Sequence, residues 1–335
     1  MYDALQLFKH VLDADKIELQ AYLEKSKQLT RERFGNTIQL FAPLYLSNEC
    51  QNICTYCGFS LDNKLKRKTL TDNEILEEAK VLKSLGFDAV LLVTGEDYRV
   101  DTQYIINAIK LLKPYFAQIS IEVQPLEYDD YVQLKSNGVY AVLVYQETYN
   151  KNTYKLVHPK GKKANFEYRL STPEKIGKAE IYKIGLGVLF GLDTDWKQDA
   201  IKLAEHIILL SKKYWKSKFS VSFPRIRPHE GEFQPNCELT EIDLLRLIAA
   251  FRLTFPDIEI ILSTRERAEF RDIAMPYGIT TMSAGSKTAP GEYHQQEDSL
   301  QQFEISDDRT PNEVAILINH SGLEVIWKDW DYCLV

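Results

Sequence analysis

From Thr37 onward short apolar runs alternate with amphipathic stretches, and this alternation limits the fold more than any other feature of the chain. The runs are Ile38 to Leu46, Ala89 to Thr94, Ile119 to Val123, Val139 to Tyr145, Ile184 to Phe190, Phe219 to Phe223, Glu259 to Leu262 and Thr280 to Ser283. Each is short and rich in Val, Ile, Leu or aromatic residues, the pattern of strands buried on both faces. Between them the periodicity is helical. Thr71-Asp72-Asn73-Glu74 reads as a capping box, with Ile75, Ala79, Leu82 and Leu85 on one face behind it. Ala200 to Leu210 and Leu239 to Phe255 repeat the pattern, and Pro173 and Pro256 sit where a helix would start or stop. Strands alternating with helices in this way predict a (β/α)8 parallel barrel of the TIM type, with an open doubly wound sheet as the alternative. Both place reactive residues at the C-terminal ends of the strands. Residues 1–35 read as a helical segment, with Leu5, Phe8, Val11 and Leu12 on one stripe and Leu19, Tyr22 and Leu23 on another, packing on or capping a main domain over 36–335.

A net charge of −7 argues against a general nucleic-acid binder, which carries a basic excess. No apolar run is long enough to span a membrane, and the mixed, acidic start from Met1 to Lys16 lacks the features of a signal peptide, so a cytoplasmic protein is expected. The five cysteines agree with a reducing compartment: their number is odd and three fall within eight residues, unlike a secreted disulfide framework.

Those three form the run Cys50-Gln51-Asn52-Ile53-Cys54-Thr55-Tyr56-Cys57, directly after the first strand. Thiolates are the usual ligands of iron–sulfur clusters, and three of them on a four-iron cubane leave one iron open to a ligand that is not protein. A zinc site is the competing reading, but structural zinc closes with four ligands and no fourth cysteine or histidine lies close, His158 being the nearest downstream. Inert buried thiols are the other alternative. Cys237 and Cys333 stand alone and read as ordinary thiols.

The spacing, followed by Gly58-Phe59, resembles the signature of the radical S-adenosylmethionine superfamily, in which the cofactor's methionine end chelates the open iron of a 4Fe-4S cluster. The resemblance extends through Leu44 to Phe59, Lys66 to Leu70, Leu91 to Glu96, Glu122 to Leu126, Tyr145 to Tyr149, Ile184 to Leu192, Ser220 to Pro228, Leu262 to Glu266 and Trp327 to Asp331. Together these segments resemble the tyrosine lyases of thiamine biosynthesis, the 2-iminoacetate synthase family, from about Leu29 to the C-terminus. The resemblance implies S-adenosyl-L-methionine as cofactor and cleavage of the Cα–Cβ bond of L-tyrosine to 2-iminoacetate and p-cresol. It also implies a thiazole synthase complex as partner and a flavodoxin or ferredoxin as reductant. The hydrogenase-maturation tyrosine lyases are the nearest rival; they carry a second C-terminal cysteine cluster, whereas this sequence stops at Val335 with Cys333 alone. A tryptophan lyase and a zinc-stabilised scaffold are further alternatives.

The resemblance also assigns residues. Gly95 and Glu96, closing the second strand, are expected at the methionine amine, where a glycine permits close backbone approach. Glu122 and Gln124 after the third strand, and Tyr145 and Glu147 after the fourth, are expected at the cofactor's ribose and methionine groups. Strand alternation puts Tyr145 and Glu147 on one side and Gln146 on the other. Arg169 is expected at the methionine carboxylate or else on the surface. Gly187 in the fifth strand either admits the adenine or packs inside the barrel. Arg265, in Ser263-Thr264-Arg265-Glu266, is the candidate anchor of the substrate carboxylate, since a guanidinium offers it two parallel hydrogen bonds; Ser263 stands beside it. Ser283, Ser286, Lys287, Arg225 and Arg227 are weaker candidates for the same pocket. Lys64, Lys66, Arg67 and Lys68 read as a solvated face, an anion contact or a reductase dock, and His206 as packing.

Overall fold

A computed structural model describes residues 2–227, 233–295 and 301–328. Two helices come first, α1 (Tyr2–Asp13) and α2 (Lys16–Phe34), the second opened by an Asp15 capping box. Eight parallel strands follow: β1 (Thr37–Ser47), β2 (Ala89–Thr94), β3 (Gln118–Glu122), β4 (Ala141–Leu143), β5 (Lys183–Gly187), β6 (Lys218–Ser222), β7 (Glu259–Leu262) and β8 (Thr281–Ser283). They pair in sequence order, and β1 pairs with both β2 and β8, which closes the barrel and rules out the open sheet. The helices between them are α3 (Asp72–Ser84), α4 (Thr102–Leu112), α5 (Tyr128–Ser136), α6 (Lys151–Val157), α7 (Phe166–Lys178), α8 (Trp196–Lys213), α9 (Glu241–Thr254) and α10 (Ala268–Ala274), with α11 (Pro311–His320) after β8.

The strand sequences show why both faces are buried. In β1, Ile38, Leu40, Ala42, Leu44 and Leu46 face the helices in the main hydrophobic core. The alternate residues Gln39, Phe41, Pro43 and Tyr45 face the lumen. β2 repeats this with Val90 and Leu92 outward and Leu91 and Val93 inward. The lumen is polar at its floor, where Lys183 pairs with Glu259 (2.6 Å) and Gln39 with Gln118 (2.5 Å). Above that floor lies an apolar belt including Phe41, Leu91, Leu143 and Ile261, and above the belt the wall is again mixed.

The N-terminal helices pack as their stripes predict. Phe8 meets Phe251 of α9 edge to face (4.8 Å), and the Arg246 guanidinium donates to the Ala14 carbonyl (2.5 Å). The Thr71 box caps α3. Pro173 departs from expectation: it lies inside α7, with Arg169, Thr172, Ile176 and Gly177 buried around it. Packing of that face outweighs the missing backbone donor, and the Thr172 hydroxyl returns a bond to the Tyr168 carbonyl (2.8 Å). A ninth strand, β9 (Glu324–Ile326), was not expected; it pairs parallel with the first residues of β1. Among the described residues no helix is long and apolar enough to cross a membrane.

Segment 301–310 crosses the mouth of the barrel and is tied down by charge. Arg271 and Asp307 form a fully buried ion pair, and Arg271 also donates to the Ser283 carbonyl (2.5 Å). Asp307→Ala strands that guanidinium without its counter-charge, so chemical denaturation is expected to show a loss of about 3–5 kcal/mol. An unchanged midpoint contradicts this account of the pair.

Candidate active site

The cysteine loop leaves β1 at the C-terminal mouth of the barrel and is fastened by its own backbone. The Gln51 N–H donates to the Glu96 carbonyl (2.9 Å), Ile53 to Lys160 (3.0 Å), Thr55 to Val157 (3.1 Å) and Gly58 to Gln302 (3.0 Å). The Arg67 guanidinium donates to the carbonyls of Asn48 (2.6 Å), Phe59 (2.9 Å) and Ser60 (2.7 Å). Arg67 is therefore a clamp on the loop and no part of a solvated face, whereas Lys64 and Lys66 are exposed. Cys50, Cys54 and Cys57 are free thiols that line one cavity over the lumen. Burial pushes the Cys54 and Cys57 thiols upward, with the Lys163 ammonium working the other way.

The donor set fits a cluster better than a single ion. Among the described residues no three His, Cys, Asp or Glu side chains converge on one point as a lone metal requires. His158 is excluded as a fourth ligand: it meets the Tyr56 hydroxyl at Nε2 (2.7 Å) and the Tyr154 carbonyl at Nδ1 (2.9 Å). Burial drives its pKa down to about 3. A cubane bound at three corners needs three thiols around an open space, which this loop supplies. The backbone beside it is also cut to fit: a Cβ on Gly95 would overlap the Glu49 carbonyl and stand 3.1 Å from the Cys50 Cβ.

The structure brings most of the sequence-predicted residues to the wall of this cavity: Gly95, Glu96, Glu122, Gln124, Tyr145, Glu147, Arg169, Ser263 and Arg265. Glu96 accepts from Asn52 Nδ2 (2.7 Å), so it is joined to the cysteine loop. The Gln124 amide is tied to the Val100 carbonyl (2.6 Å). Tyr145 and Glu147 face the cavity and Gln146 turns away, as alternation predicts, although β4 ends at Leu143 and Glu147 is held at φ +70°. Arg169 is buried, which excludes the surface reading; its Nε donates to the Tyr145 carbonyl (2.5 Å) and its guanidinium lies 3.6 Å from Glu147. Arg265 stacks on the Phe303 ring, its Cζ 3.3 Å from the centroid. Among the described residues its guanidinium has no acidic partner.

Gly187 is the exception among these residues. It is absent from the cavity wall and packs against the Tyr145 ring and the Ser222 carbonyl, each 2.8 Å from where its Cβ would be. Arg225 and Arg227 both engage the buried Glu266, which accepts from Arg225 Nε and from Arg227 at 2.9 Å. Ser283 and Ser286 line the cavity, the Ser286 hydroxyl buried with no partner among the described residues, while Lys287 turns toward Glu292 (3.9 Å). His206 packs as expected, bonded to the Tyr149 hydroxyl (2.9 Å) with its pKa lowered by burial to about 4. Trp327 packs edge to face on Phe87 (5.4 Å). Pro228, Trp330, Asp331 and Cys333 lie outside the described residues.

Two residues of the cavity wall escaped the sequence reading. Lys163 is half-buried and bonds Glu147 (2.8 Å) while its ammonium lies 5.6 Å from the centre of the Tyr56 ring. Burial opposes ionisation of Glu147, but Lys163 and Arg169 outweigh it and hold that carboxyl below the usual range. Asn52 accepts from the Lys163 N–H (3.0 Å) as it donates to Glu96, joining three loops. Lys163 sits in the run Lys160-Gly161-Lys162-Lys163, which in sequence looks like a solvated turn. The only available signal was Gly161, whose φ of +96° lets its backbone pass close to Asn52.

Comparison with known proteins agrees with this geometry. The Radical SAM superfamily model matches residues 44–206 and the Biotin and Thiamin Synthesis associated domain matches 222–324. The chain is 46% identical over 93% of its length to the 2-iminoacetate synthase of Escherichia coli, covering 83% of that protein, and the Salmonella typhimurium enzyme gives the same values. The crystal structure of the FeFe-hydrogenase maturase HydG from Carboxydothermus hydrogenoformans superposes with a TM-score of 0.90 at 30% identity, covering 99% of this chain and 81% of that one.

Because Gly95 has no room for a side chain, Gly95→Ala is expected to displace the cysteine loop. Iron and sulfide content after anaerobic reconstitution then falls well below wild type, whereas full incorporation refutes the close-approach argument.

Proposed function

This chain belongs to the 2-iminoacetate synthase family of radical S-adenosylmethionine enzymes, and from that membership and the site we infer that it cleaves the Cα–Cβ bond of L-tyrosine. The products are 2-iminoacetate and p-cresol, with 2-iminoacetate serving the thiazole moiety of thiamine. The observation that carries this reading is the placement of three free cysteines over a lumen whose wall bears both a guanidinium and carboxyl groups. The cofactors are a 4Fe-4S cluster and S-adenosyl-L-methionine. Cys50, Cys54 and Cys57 hold the cluster. When bound, the pair supplies a 5′-deoxyadenosyl radical, a hydrogen-abstracting agent generated by one electron.

The chain's own groups do the positioning. Gly95 and Glu96 receive the cofactor's methionine amine, and Arg169, held by the Tyr145 carbonyl, faces its carboxylate. Gln124, Tyr145 and Glu147 line the nucleoside, with Lys163 keeping Glu147 ionised. Arg265, stiffened by its stacking on Phe303, anchors the tyrosine carboxylate, and Ser263 supports the turn that carries it: its hydroxyl accepts from the Arg265 N–H (3.4 Å). The apolar belt of Phe41, Leu91, Leu143 and Ile261 closes the lumen below and keeps water from reactive carbon. Binding in one orientation is the protein's main contribution to rate.

The imine product hydrolyses readily in water, which supports direct hand-over to a thiazole synthase complex in the cytoplasm. The exposed Lys64 and Lys66 beside the cysteine loop suit docking of an acidic one-electron carrier of the flavodoxin or ferredoxin type.

Incubation of reduced, reconstituted protein with S-adenosylmethionine and tyrosine is expected to release p-cresol and 5′-deoxyadenosine, measured by chromatography, with tryptophan giving no indolic product. Cys54→Ala abolishes both products. Inert tyrosine with turned-over tryptophan overturns the assignment of substrate.

A further inference from the structure

The cavity wall carries two charged groups that no other side chain satisfies. Among the described residues neither the Glu122 carboxyl nor the Arg265 guanidinium has a hydrogen-bond or ion-pair partner on its charged end; Arg265 has only its stacking on Phe303. The neighbouring charges are committed elsewhere. Glu147 is bonded to Lys163, Glu96 to Asn52, and Glu266 to Arg225 and Arg227.

Topology places the unpartnered pair on opposite walls. Glu122 closes β3 and Arg265 follows β7, and the pairing order sets these strands four apart around eight. Glu122 also sits below the rim. Its register partner on β2 is Val93, whose own partner on β1 is Tyr45, two residues beneath the last residue of that strand. A free α-amino acid carries a carboxylate and an ammonium on one carbon, and a lumen with a long guanidinium on one side and a short carboxyl facing it is complementary to both.

We propose that Glu122, which the family resemblance sets at the cofactor, instead receives the α-ammonium of the substrate and removes one proton from it, leaving the neutral amine that the reaction requires. The inference rests on the reading of this cavity as an amino-acid lyase site. In the step, an N–H bond of the ammonium breaks with its electron pair left on nitrogen, and an O–H bond forms on the Glu122 carboxylate. Positive charge on nitrogen and negative charge on oxygen disappear together. Among the described residues no other group on this wall serves: the Glu96 carboxyl is bonded to Asn52 and assigned to the cofactor's amine. Lys163, Arg169 and Arg265 are cations, and Tyr45 and Tyr145 are phenols kept protonated by burial. Both nitrogens of His158 are engaged, and Glu147 is held ionised by its two cations, which makes it a weak base. Glu122 has the opposite setting: burial, then the negative charge of Glu147, raise its pKa to about 7, against the pull of Arg265, Lys163 and Arg169. A base whose pKa lies near the working pH is ionised often enough to act and basic enough to accept.

The sign of the pH dependence follows. Below about 7 the carboxyl is protonated and has no capacity for the ammonium proton, so kcat/KM for tyrosine falls as pH drops through that value.

The test compares wild type, Glu122→Gln and Glu122→Asp as anaerobic holoenzymes, using tyrosine and 3-(4-hydroxyphenyl)propionate, which keeps ring and carboxylate and lacks the amine. Wild type is expected to prefer tyrosine. Glu122→Gln loses that preference by roughly tenfold or more with little change toward the amine-free acid, since a charge-assisted bond is lost only for the ligand that has an amine. Its p-cresol rate falls by about 10²–10⁴-fold, and the acid limb near pH 7 disappears. Glu122→Asp, which keeps the charge one methylene shorter, restores part of the preference. Glu122→Gln with wild-type preference, rate and acid limb overturns the proposal. A wild-type holoenzyme that makes no p-cresol from tyrosine instead sinks the lyase reading, and the binding comparison still judges Glu122 separately.

Discussion

The seat of the cysteine loop on the barrel mouth is the constraint from which the rest of the site follows. It is held by backbone hydrogen bonds to Glu96 just past β2, to Val157 at the end of α6, to Lys160 and to Gln302, together with the Arg67 clamp. Such contacts fix position without using the thiols, which remain free to bind iron. Asn52 then makes the loop part of the cavity wall, because one amide reaches both Glu96 and the Lys163 backbone. A displacement of the loop therefore moves a carboxyl and an ammonium with it, and through Lys163 it reaches Glu147.

The lumen is organised in layers by the period of two along each strand. Polar residues close its floor through the Lys183–Glu259 and Gln39–Gln118 contacts. The apolar belt above them separates that floor from the reactive level, and charges reappear only where the strands end. This order keeps two polar levels apart, one at the floor and one at the rim. In the upper one, two carboxyls behave differently: Glu147, between Lys163 and Arg169, is held ionised, while Glu122, beside Val93, is not. Separated pKa values of this kind let one wall both bind a cation and move a proton.

Much of the fold was legible because each strand is buried on both faces and so reads as a continuous apolar run. β2 and β7 were placed to the residue, and the other strands shifted by a few positions at their ends. β9 was not legible, since its three residues gain their strand character from a distant pairing with Thr37–Gln39. Pro173 misled because a local rule about helix ends yielded to the packing of the α7 face. In the site, strand-end residues were found by the barrel rule together with family resemblance. Lys163 and Asn52 were not, because their roles depend on loops more than a hundred residues apart meeting at one amide. Gly187 shows the reverse: a glycine near the chemistry whose observed contacts are with Tyr145 and Ser222.

The central claim is that three cysteines hold a 4Fe-4S cluster with one iron left for S-adenosylmethionine. Electron paramagnetic resonance of the reduced, fully reconstituted protein tests it most directly when spectra are recorded before and after addition of that cofactor. The account predicts a clear change in the cluster's g-values as the open iron gains its ligand. A spectrum indifferent to saturating cofactor contradicts it.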